Sequence, residues 1–179
     1  YRAAGRDSTR EKRGGGDRYR SEARDSTSGC REHELSPDAV VAGDRLFVAD
    51  SGHNRIVAAD LDGRVRTIIG EGGVGAHDGP ASRASFHNPQ GLAVMGGRLF
   101  VADTGNHLLR AVDLETKEVA TVAGTSRLGQ EAFAGGRRDP LSVALRSPWG
   151  LLAIGSHLLI AMAGSHQLWV YDPGHDVIA

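Results

Sequence analysis

Apolar residues after residue 35 come in short runs that Gly, Asp, Asn and Pro interrupt. Two of these runs, "LFVA" at residues 99–102 and "LLIAM" at residues 158–162, are apolar at nearly every position. That pattern is typical of strands that are buried on both faces. No stretch keeps a 3.6-residue apolar period between helix caps, so the sequence predicts β-structure and no long helix.

The same pattern occurs three times. "RLFVADSGHNRIVAADL" begins at Arg45 and "RLFVADTGNHLLRAVDL" begins at Arg98, with 10 of 17 positions identical. A third copy, "SPWGLLAIGSHLLIAMAGSHQLWVYD", begins at Ser147 and follows the second at an offset of 59 residues. A period of roughly 50–60 residues in an all-β pattern predicts the blades of a β-propeller.

Each copy predicts one four-stranded blade, and the blades span about 35–70, 86–124 and 145–179. A single twisted sheet needs a neighbour on each side, and propellers close with about four to eight blades. We therefore expect a partial β-propeller, with two blades complete and the third truncated after its fourth strand begins at Val177. We also expect residues 35–179 alone to be poorly soluble or oligomeric, because two apolar blade faces stay open.

Residues 1–34 differ from the rest in composition. They carry nine Arg or Lys and seven Asp or Glu, with no Leu, Ile, Val, Phe, Met or Trp. Such a segment has no apolar surface to offset the entropy of ordering, which predicts a disordered charged tail. An RNA-binding Arg/Gly tail is the alternative, and the near balance of charges disfavours it.

The turn between the second and third strands resembles that of the NHL repeat. The pattern is a Pro-x-Gly opening, then "VAD-S/T-G-N-H", then a short strand that ends in Asp, and Asn106-His107-Leu108 carries the Asn-His-Leu run itself. The resemblance covers about residues 35–179. It implies an all-β propeller of NHL blades.

The third copy resembles, more narrowly, the thioredoxin-like proteins that carry an NHL propeller. The distinctive piece is "IAMAGSHQLW", in which Met162 and Ala163 replace the Asp-Ser/Thr of the other copies. Nothing before Leu35 resembles a thioredoxin-like domain, and no W-C-x-x-C is present. Redox activity is therefore not assigned to this chain, and we expect no cofactor.

The repeated polar residues have structural and functional interpretations. Asp50 and Asp103 end equivalent strands, where a carboxylate can fix a turn by accepting backbone N–H bonds, and a ring of acids is the functional alternative. His107 and His166 share a position with Asn54, and Asn106 precedes the first of them. We expect this position to hydrogen-bond between blades. A partner surface, or a metal site formed with His53, is left open.

The two long links between blades are the predicted interaction surface. Residues 70–86 contain His77 and Asp78, and residues 124–145 contain Arg137 and Arg138. The glycine-rich first link is not a phosphate loop, and we expect both links to lie over one rim of the propeller. Trp149 and Trp169 are expected to pack within or at the edge of a blade, with contact anchors as the alternative.

Three functions follow from these features. The first is a non-catalytic propeller module, a piece of a thioredoxin-like NHL protein that binds protein partners or its own further blades and domain. The second is a metal-dependent propeller enzyme of the peptidylglycine amidating-lyase type. The third is RNA binding, which the 12 Arg/Lys against 15 Asp/Glu of residues 35–179 disfavour.

No signal peptide or membrane-spanning segment is visible in the sequence. That pattern favours the cytoplasm and no membrane partner.

Overall fold

The computed structural model describes residues 39–130 and 135–179, and the expectation for residues 1–34 lies outside them. Three antiparallel sheets fill the described ranges, which confirms the all-β propeller fold predicted from the repeats. Each sheet contains the four strands of one sequence copy in sequential order. We call the sheets blade 1, blade 2 and blade 3.

The strands follow one another as meanders. Blade 1 holds β1 (Ala39–Ala42), β2 (Arg45–Asp50), β3 (Arg55–Asp60) and β4 (Val65–Ile69). Blade 2 holds β5 (Gly79–Pro80), β6 (Pro89–Met95), β7 (Arg98–Asp103), β8 (Leu108–Asp113) and β9 (Glu118–Ala123). Blade 3 holds β10 (Pro148–Ile154), β11 (His157–Met162), β12 (Gln167–Asp172) and β13 (Val177–Ile178). Short 3-10 turns lie at Ser51–His53, Thr104–Asn106 and Pro140–Ser142.

Two apolar cores lie between the blades. The first joins blade 1, through Phe47 and Ile56, to the facing side of blade 2. The second joins the other side of blade 2, through Phe100 and Leu109, to blade 3. Blade 2 is thus covered on both faces, which explains why its strands are apolar at consecutive positions.

The inner strands of neighbouring blades approach closely. A Cβ at Gly91 in β6 would lie 2.3 Å from the carbonyl oxygen of Trp149 and 2.9 Å from the amide nitrogen of Leu151. No side chain fits there without moving β10, so the Gly of the Pro-x-Gly opening sets how tightly the blades pack.

The links between blades repeat as well, which the sequence comparison did not predict. Gly70 donates its N–H to the Ala81 carbonyl at 2.7 Å, and Gly124 donates to Pro140 at 2.9 Å. Both glycines have φ near +100°, a conformation that L side chains rarely adopt. The links leave the sheets at one rim, as expected, but each then runs along the outer edge of the next blade.

There each link pairs with the fourth strand of that blade. Gly79 lies opposite Val119, and Arg138 lies opposite Ile178 at the same offset of 59 residues. The repeat unit is therefore the four-stranded blade together with the link that precedes it.

Two blade faces stay uncovered in the described residues. On blade 3, Leu168 is 68% exposed, whereas its counterpart Leu109 in blade 2 is 0% exposed. On blade 1, Leu46 is half-buried, whereas its counterpart Leu99 is fully buried. We call these the blade 3 open face and the blade 1 open face.

Candidate functional site

Most of the candidate residues lie at one end of the sheets. Antiparallel strands alternate in direction, so the connection after a second strand and the link after a fourth strand leave a sheet at the same end. We call this end the turn face. It holds the turns 51–54, 104–107 and 163–166, and the links that follow β4 and β9 start there.

The three turns share one backbone conformation. Their last residues, Asn54, His107 and His166, have φ values of 53°, 56° and 54°. This left-handed region is uncommon for residues other than glycine, and Asn and His are among those that enter it most often. The conformation explains why the sequence places only Asn or His at this position of the three copies.

Asp50 stabilises the first turn. Its carboxylate accepts a hydrogen bond from Arg55 Nε at 2.8 Å and contacts His53 Nδ1 at 2.7 Å. The His53 contact and then the Arg55 hydrogen bond hold the pKa of this carboxyl below its ordinary value. The acid is therefore ionised at neutral pH and clamps the ends of two adjacent strands.

A side-chain hydroxyl in each of the first two turns donates a hydrogen bond to the next blade. Ser51 Oγ, after β2, donates to the Pro89 carbonyl oxygen of blade 2 at 2.5 Å. Thr104 Oγ1, after β7, donates to the Pro148 carbonyl oxygen of blade 3 at 2.5 Å. The Ser/Thr of the turn and the Pro of the Pro-x-Gly opening are thus two halves of one contact between blades.

The left-handed residue of each of the first two turns makes a second bond to the next blade. Asn54 Oδ1 accepts the backbone N–H of Asn88 at 2.9 Å. His107 Nδ1 lies 3.3 Å from Ser147 Oγ, the residue that corresponds to Asn88. We call each set of two bonds a joint, and the molecule contains one between blades 1 and 2 and one between blades 2 and 3.

The third turn lacks half of this arrangement. Ala163 stands where Ser51 and Thr104 supply the hydroxyl, while His166 keeps the left-handed conformation. His166 lies beside the blade 3 open face, where the described residues contain no following blade. A blade packed on that face would lack the hydroxyl bond of the joint and keep only the position of the left-handed residue.

Burial shapes the ionisation of His107. Desolvation lowers the pKa of its imidazole, and the neighbouring His87 lowers it further. The ring is therefore neutral at physiological pH and offers one donor and one acceptor nitrogen to the joint.

Asp103 in blade 2 has a different partner from Asp50. It is 0% exposed and accepts hydrogen bonds from the His87 backbone N–H at 2.8 Å and from Asn106 Nδ2 at 2.8 Å. Arg110, also 0% exposed, donates to it from Nη1 at 3.0 Å. Burial raises the pKa of the Asp103 carboxyl, and these donors and the Arg110 charge oppose the rise.

Arg110 also fastens the first link to blade 2. Its Nη2 donates to Asp78 Oδ1 at 2.6 Å and to the His77 carbonyl at 2.9 Å, and its guanidinium lies 5.2 Å from the centre of the Phe86 ring. Arg110 was not a candidate from the sequence. The available signal was a charge in the third strand at a position held by Val57 and Trp169 in the other copies.

The predicted interaction residues lie on the links. His77 and Asp78 are exposed, although Asp78 is also bonded to Arg110 and to the backbone N–H and hydroxyl of Thr121. Arg137 and Arg138 are exposed in the second link, and Arg137 corresponds to Asp78 at the offset of 59 residues. Asp78 and Arg137 thus occupy matching places before consecutive blades, with His77 and Arg138 directly beside them in sequence.

Two apolar side chains accompany them. Val74 is 67% exposed and Leu128 is 51% exposed, each directly before the glycine that folds its link back. The sequence patterns "GEGGVG" and "GTSRLG" carry this match, which the alignment of the strands alone did not show.

The three histidines considered for a metal site lie one in each turn. His53 contacts Asp50, His107 contacts Ser147, and His166 lies on the next turn along. Within residues 39–130 and 135–179, no group of three or more His, Cys, Asp or Glu side chains has the geometry to hold a metal ion.

The two tryptophans differ in environment. Trp169 is 2% exposed in the core between blades 2 and 3 and donates to Gln167 Oε1 at 3.2 Å. Trp149, at the start of an inner strand, is 44% exposed.

In the described part of the chain, no helix is long and apolar enough to cross a membrane.

Known proteins match this chain in sequence. The NHL repeat model matches residues 86–111, which run from the end of the first link into β8. The chain is 42% identical over 136 residues to NHL repeat-containing protein 2 of Homo sapiens, covering 70% of this chain and 18% of that protein. It is also 42% identical over 133 residues to "Protein SUPPRESSOR OF QUENCHING 1, chloroplastic" of Arabidopsis thaliana, covering 72% of this chain and 12% of that protein.

Solved structures share the fold. A structural genomics protein of unknown function from Bacteroides thetaiotaomicron superposes with a TM-score of 0.61 at 22% identity, over 69% of this chain and 31% of that one. An auxiliary nutrient binding protein of the same organism gives a TM-score of 0.56 at 16% identity, over 76% of this chain and 35% of that one. At these identities the likeness concerns the fold alone. The chain is thus an NHL-repeat propeller protein, related over 70% of its length to NHL repeat-containing protein 2.

Proposed function

We propose that this chain is a non-catalytic protein-interaction module, and that it works as the propeller part of a longer thioredoxin-like NHL-repeat protein. The chain spans less than a fifth of the relatives that it matches, so their whole activities extend beyond it. The proposal concerns what these blades contribute.

The observation that carries the proposal is the repetition of the links. Val74 and Leu128 place exposed apolar side chains at matching positions of two consecutive blades. Exposed polar and charged residues, His77 and Arg137 among them, lie three to nine residues further along the same links. Apolar contacts surrounded by polar groups are the usual composition of a protein-binding surface.

The uses of the repeated polar residues favour the same function. Asp50, Asp103 and Arg110 are bonded within their blades, and Ser51 and Thr104 are bonded to the next blade. These residues stabilise the fold, whereas Val74 and Leu128 are exposed on the links.

The test is a photo-crosslinking experiment with the full-length protein in cells. A photoreactive amino acid at position 128 is expected to give a discrete protein adduct, and Val74→Glu is expected to abolish it. Position 61 is the matched control, because Leu61 is 63% exposed in the turn at the opposite end of blade 1. Equal crosslinking at both positions, or none at 128, would contradict the proposal.

Two further measurements separate the alternatives. Stoichiometric zinc or calcium in the purified full-length protein would favour a metal-dependent enzyme. Salt-sensitive retention of RNA would favour the RNA-binding function.

A further inference from the structure

A cavity of about 500 Å³ lies between blades 2 and 3, at the end of the sheets opposite the turn face. Its lining comes from the β6–β7 hairpin with the start of β7, the β10–β11 hairpin and the turn after β12. Met95, Phe100 and Pro173 form its apolar side, and Arg98 is the one charged residue in the lining among the described residues. A volume of about 300–1,000 Å³ with an apolar lining and few polar groups is typical of a small-molecule site.

The core between the two blades holds the apolar side of the cavity in place. Phe100 is 1% exposed and meets Tyr171 edge to face, with the ring centres 6.2 Å apart. Tyr171 is buried as well and donates its hydroxyl to Asp176 Oδ1 at 3.2 Å. Packing therefore fixes Phe100, and the cavity is formed before any ligand binds.

The position of Arg98 carries a basic residue in all three copies. Arg45 and His157 correspond to it at offsets of 53 and 59 residues. Arg45 Nε lies 4.0 Å from Asp44, and His157 Nε2 lies 3.6 Å from Asp172. Within the described parts of the chain, Arg98 alone of the three makes no ion pair or hydrogen bond through its side chain.

The sequence of blade 2 explains why this guanidinium has no partner. Gly97 stands where blade 1 has Asp44, so the neighbouring carboxylate is missing. Asp113 lies opposite Arg98 in β8, but its carboxylate accepts two backbone N–H groups of its own turn, at 2.9 and 2.8 Å. The Arg98 guanidinium, which has five N–H donors, is therefore available to an anion.

A corresponding cavity between blades 1 and 2 shows the difference. It also runs from the hairpin before a second strand to the turn after the third strand of the next blade, and its volume is about 590 Å³. Asp44 and Asp60 line it beside Arg45, and Asp60 accepts a hydrogen bond from Arg66 Nε at 2.6 Å. In the described residues, the cavity between blades 2 and 3 has no carboxylate in its lining, so a carboxylate that complements Arg98 has to come from a ligand.

We propose that the cavity between blades 2 and 3 binds a small organic acid that carries an aromatic ring. Its carboxylate pairs with Arg98, because a planar guanidinium matches a carboxylate with two parallel hydrogen bonds. Its ring lies against Met95 and Phe100, since a thioether and an aromatic ring both make favourable contacts with a second ring. The links of the proposed function start at the opposite end of the sheets, so failure of either proposal leaves the other standing.

NMR of the full 179-residue chain during addition of phenylacetate measures this binding. Phenylacetate carries one carboxylate and one aromatic ring. It is expected to shift the amide signals of Ser156 and Gly174 saturably and to leave the Asn88 amide on the turn face unchanged. Phenylacetamide has the same shape without the charge, and it is expected to bind at least about tenfold more weakly.

Two variants test the role of Arg98. Arg98→Gln keeps an exposed polar side chain without the charge, and it is expected to weaken phenylacetate binding at least about tenfold. Arg45→Gln is the matched control, because Arg45 begins β2 as Arg98 begins β7 but lines the other cavity. It is expected to leave the affinity unchanged. Three results would each overturn the proposal: no saturable shift in the unaltered chain, equal affinity for the amide, or equal loss in the two variants.

A peptide that ends in phenylalanine with a free carboxylate presents the same chemistry from a chain end. It is expected to bind no more tightly than phenylacetate, because the described lining offers no second charged group to the rest of the peptide. Binding of the peptide at least about tenfold more tightly than phenylacetate would assign the cavity to a protein chain end and overturn the small-molecule ligand.

Discussion

Replacing Thr104 by Val removes the hydroxyl that forms one joint bond and that also lies 3.3 Å from the Ala102 carbonyl oxygen. The two side chains have nearly the same shape, and the buried Thr104 donates a hydrogen bond from Oγ1 to the Pro148 carbonyl oxygen at 2.5 Å. Losing a donor to a buried carbonyl costs about 1–3 kcal/mol. A loss of about 2 kcal/mol, divided by a slope of about 2 kcal/mol per molar urea, lowers the unfolding midpoint by about 1 M.

Tryptophan fluorescence during urea unfolding is the assay. Both tryptophans lie in blade 3, and Trp169 is buried against blade 2, so the signal reports the joint that Thr104 makes. Thr116→Val is the matched control, because Thr116 is exposed in the turn between β8 and β9 and is expected to change the free energy of unfolding by less than about 0.5 kcal/mol. Equal midpoints for the two variants would refute the assignment of Thr104 to the joint.

Two further predictions concern the charged groups. Arg110→Met should lower the free energy of unfolding by about 3–5 kcal/mol, because Asp103 is left buried without its cation. The double variant with Asp103→Met should lose less stability than the sum of the two single changes, since blade 3 holds Met162 and Trp169 at the corresponding positions. Additive losses in a urea double-mutant cycle would contradict this. His175 and two backbone N–H groups lower the pKa of Asp172 below its ordinary 3.8, so its contribution to stability is complete above that pH and is lost as the pH falls through the folded-state pKa. Urea titrations between about pH 2.5 and 5 should therefore show a steeper loss for the unaltered chain than for Asp172→Asn, and identical slopes would argue against this ion pair.

The sequence was sufficient to predict the blades. The repeated "RLFVAD" forms β2 and β7, and the six residues that begin ten positions after its start form β3 and β8. Apolar periodicity does not show where the inner strands start, since β6 begins at Pro89 and β10 at Pro148, each at the Pro of the Pro-x-Gly opening. A β-bulge follows each Pro, so the Pro pairs with the second strand out of register with the rest of the inner strand, and the apolar periodicity does not extend across the bulge.

The joints were predicted only in part. An Asn or His at the left-handed position indicated a bond between blades, but the acceptor of the Ser51 and Thr104 hydroxyls is a backbone carbonyl in the next copy. A backbone acceptor has no residue-type signature, so comparing side chains along the sequence does not identify it. Arg110 was not predicted as a candidate residue for a related reason. Its partners Asp78 and Asp103 are 32 and 7 residues away in sequence and belong to different segments.

The claim that turn side chains join successive blades is tested most directly at one amide. The backbone N–H of Asn88, in blade 2, is on an exposed residue and donates to Asn54 Oδ1 of blade 1. Asn54→Gly keeps the left-handed backbone and removes that acceptor, while the His87 N–H stays bonded to Asp103 within blade 2.

Hydrogen exchange measured by NMR reads both amides in the same sample. The account predicts that in Asn54→Gly the Asn88 amide exchanges at least about tenfold faster, with the His87 amide unchanged. An Asn88 amide that exchanges at the same rate in the variant and the unaltered chain would contradict the account.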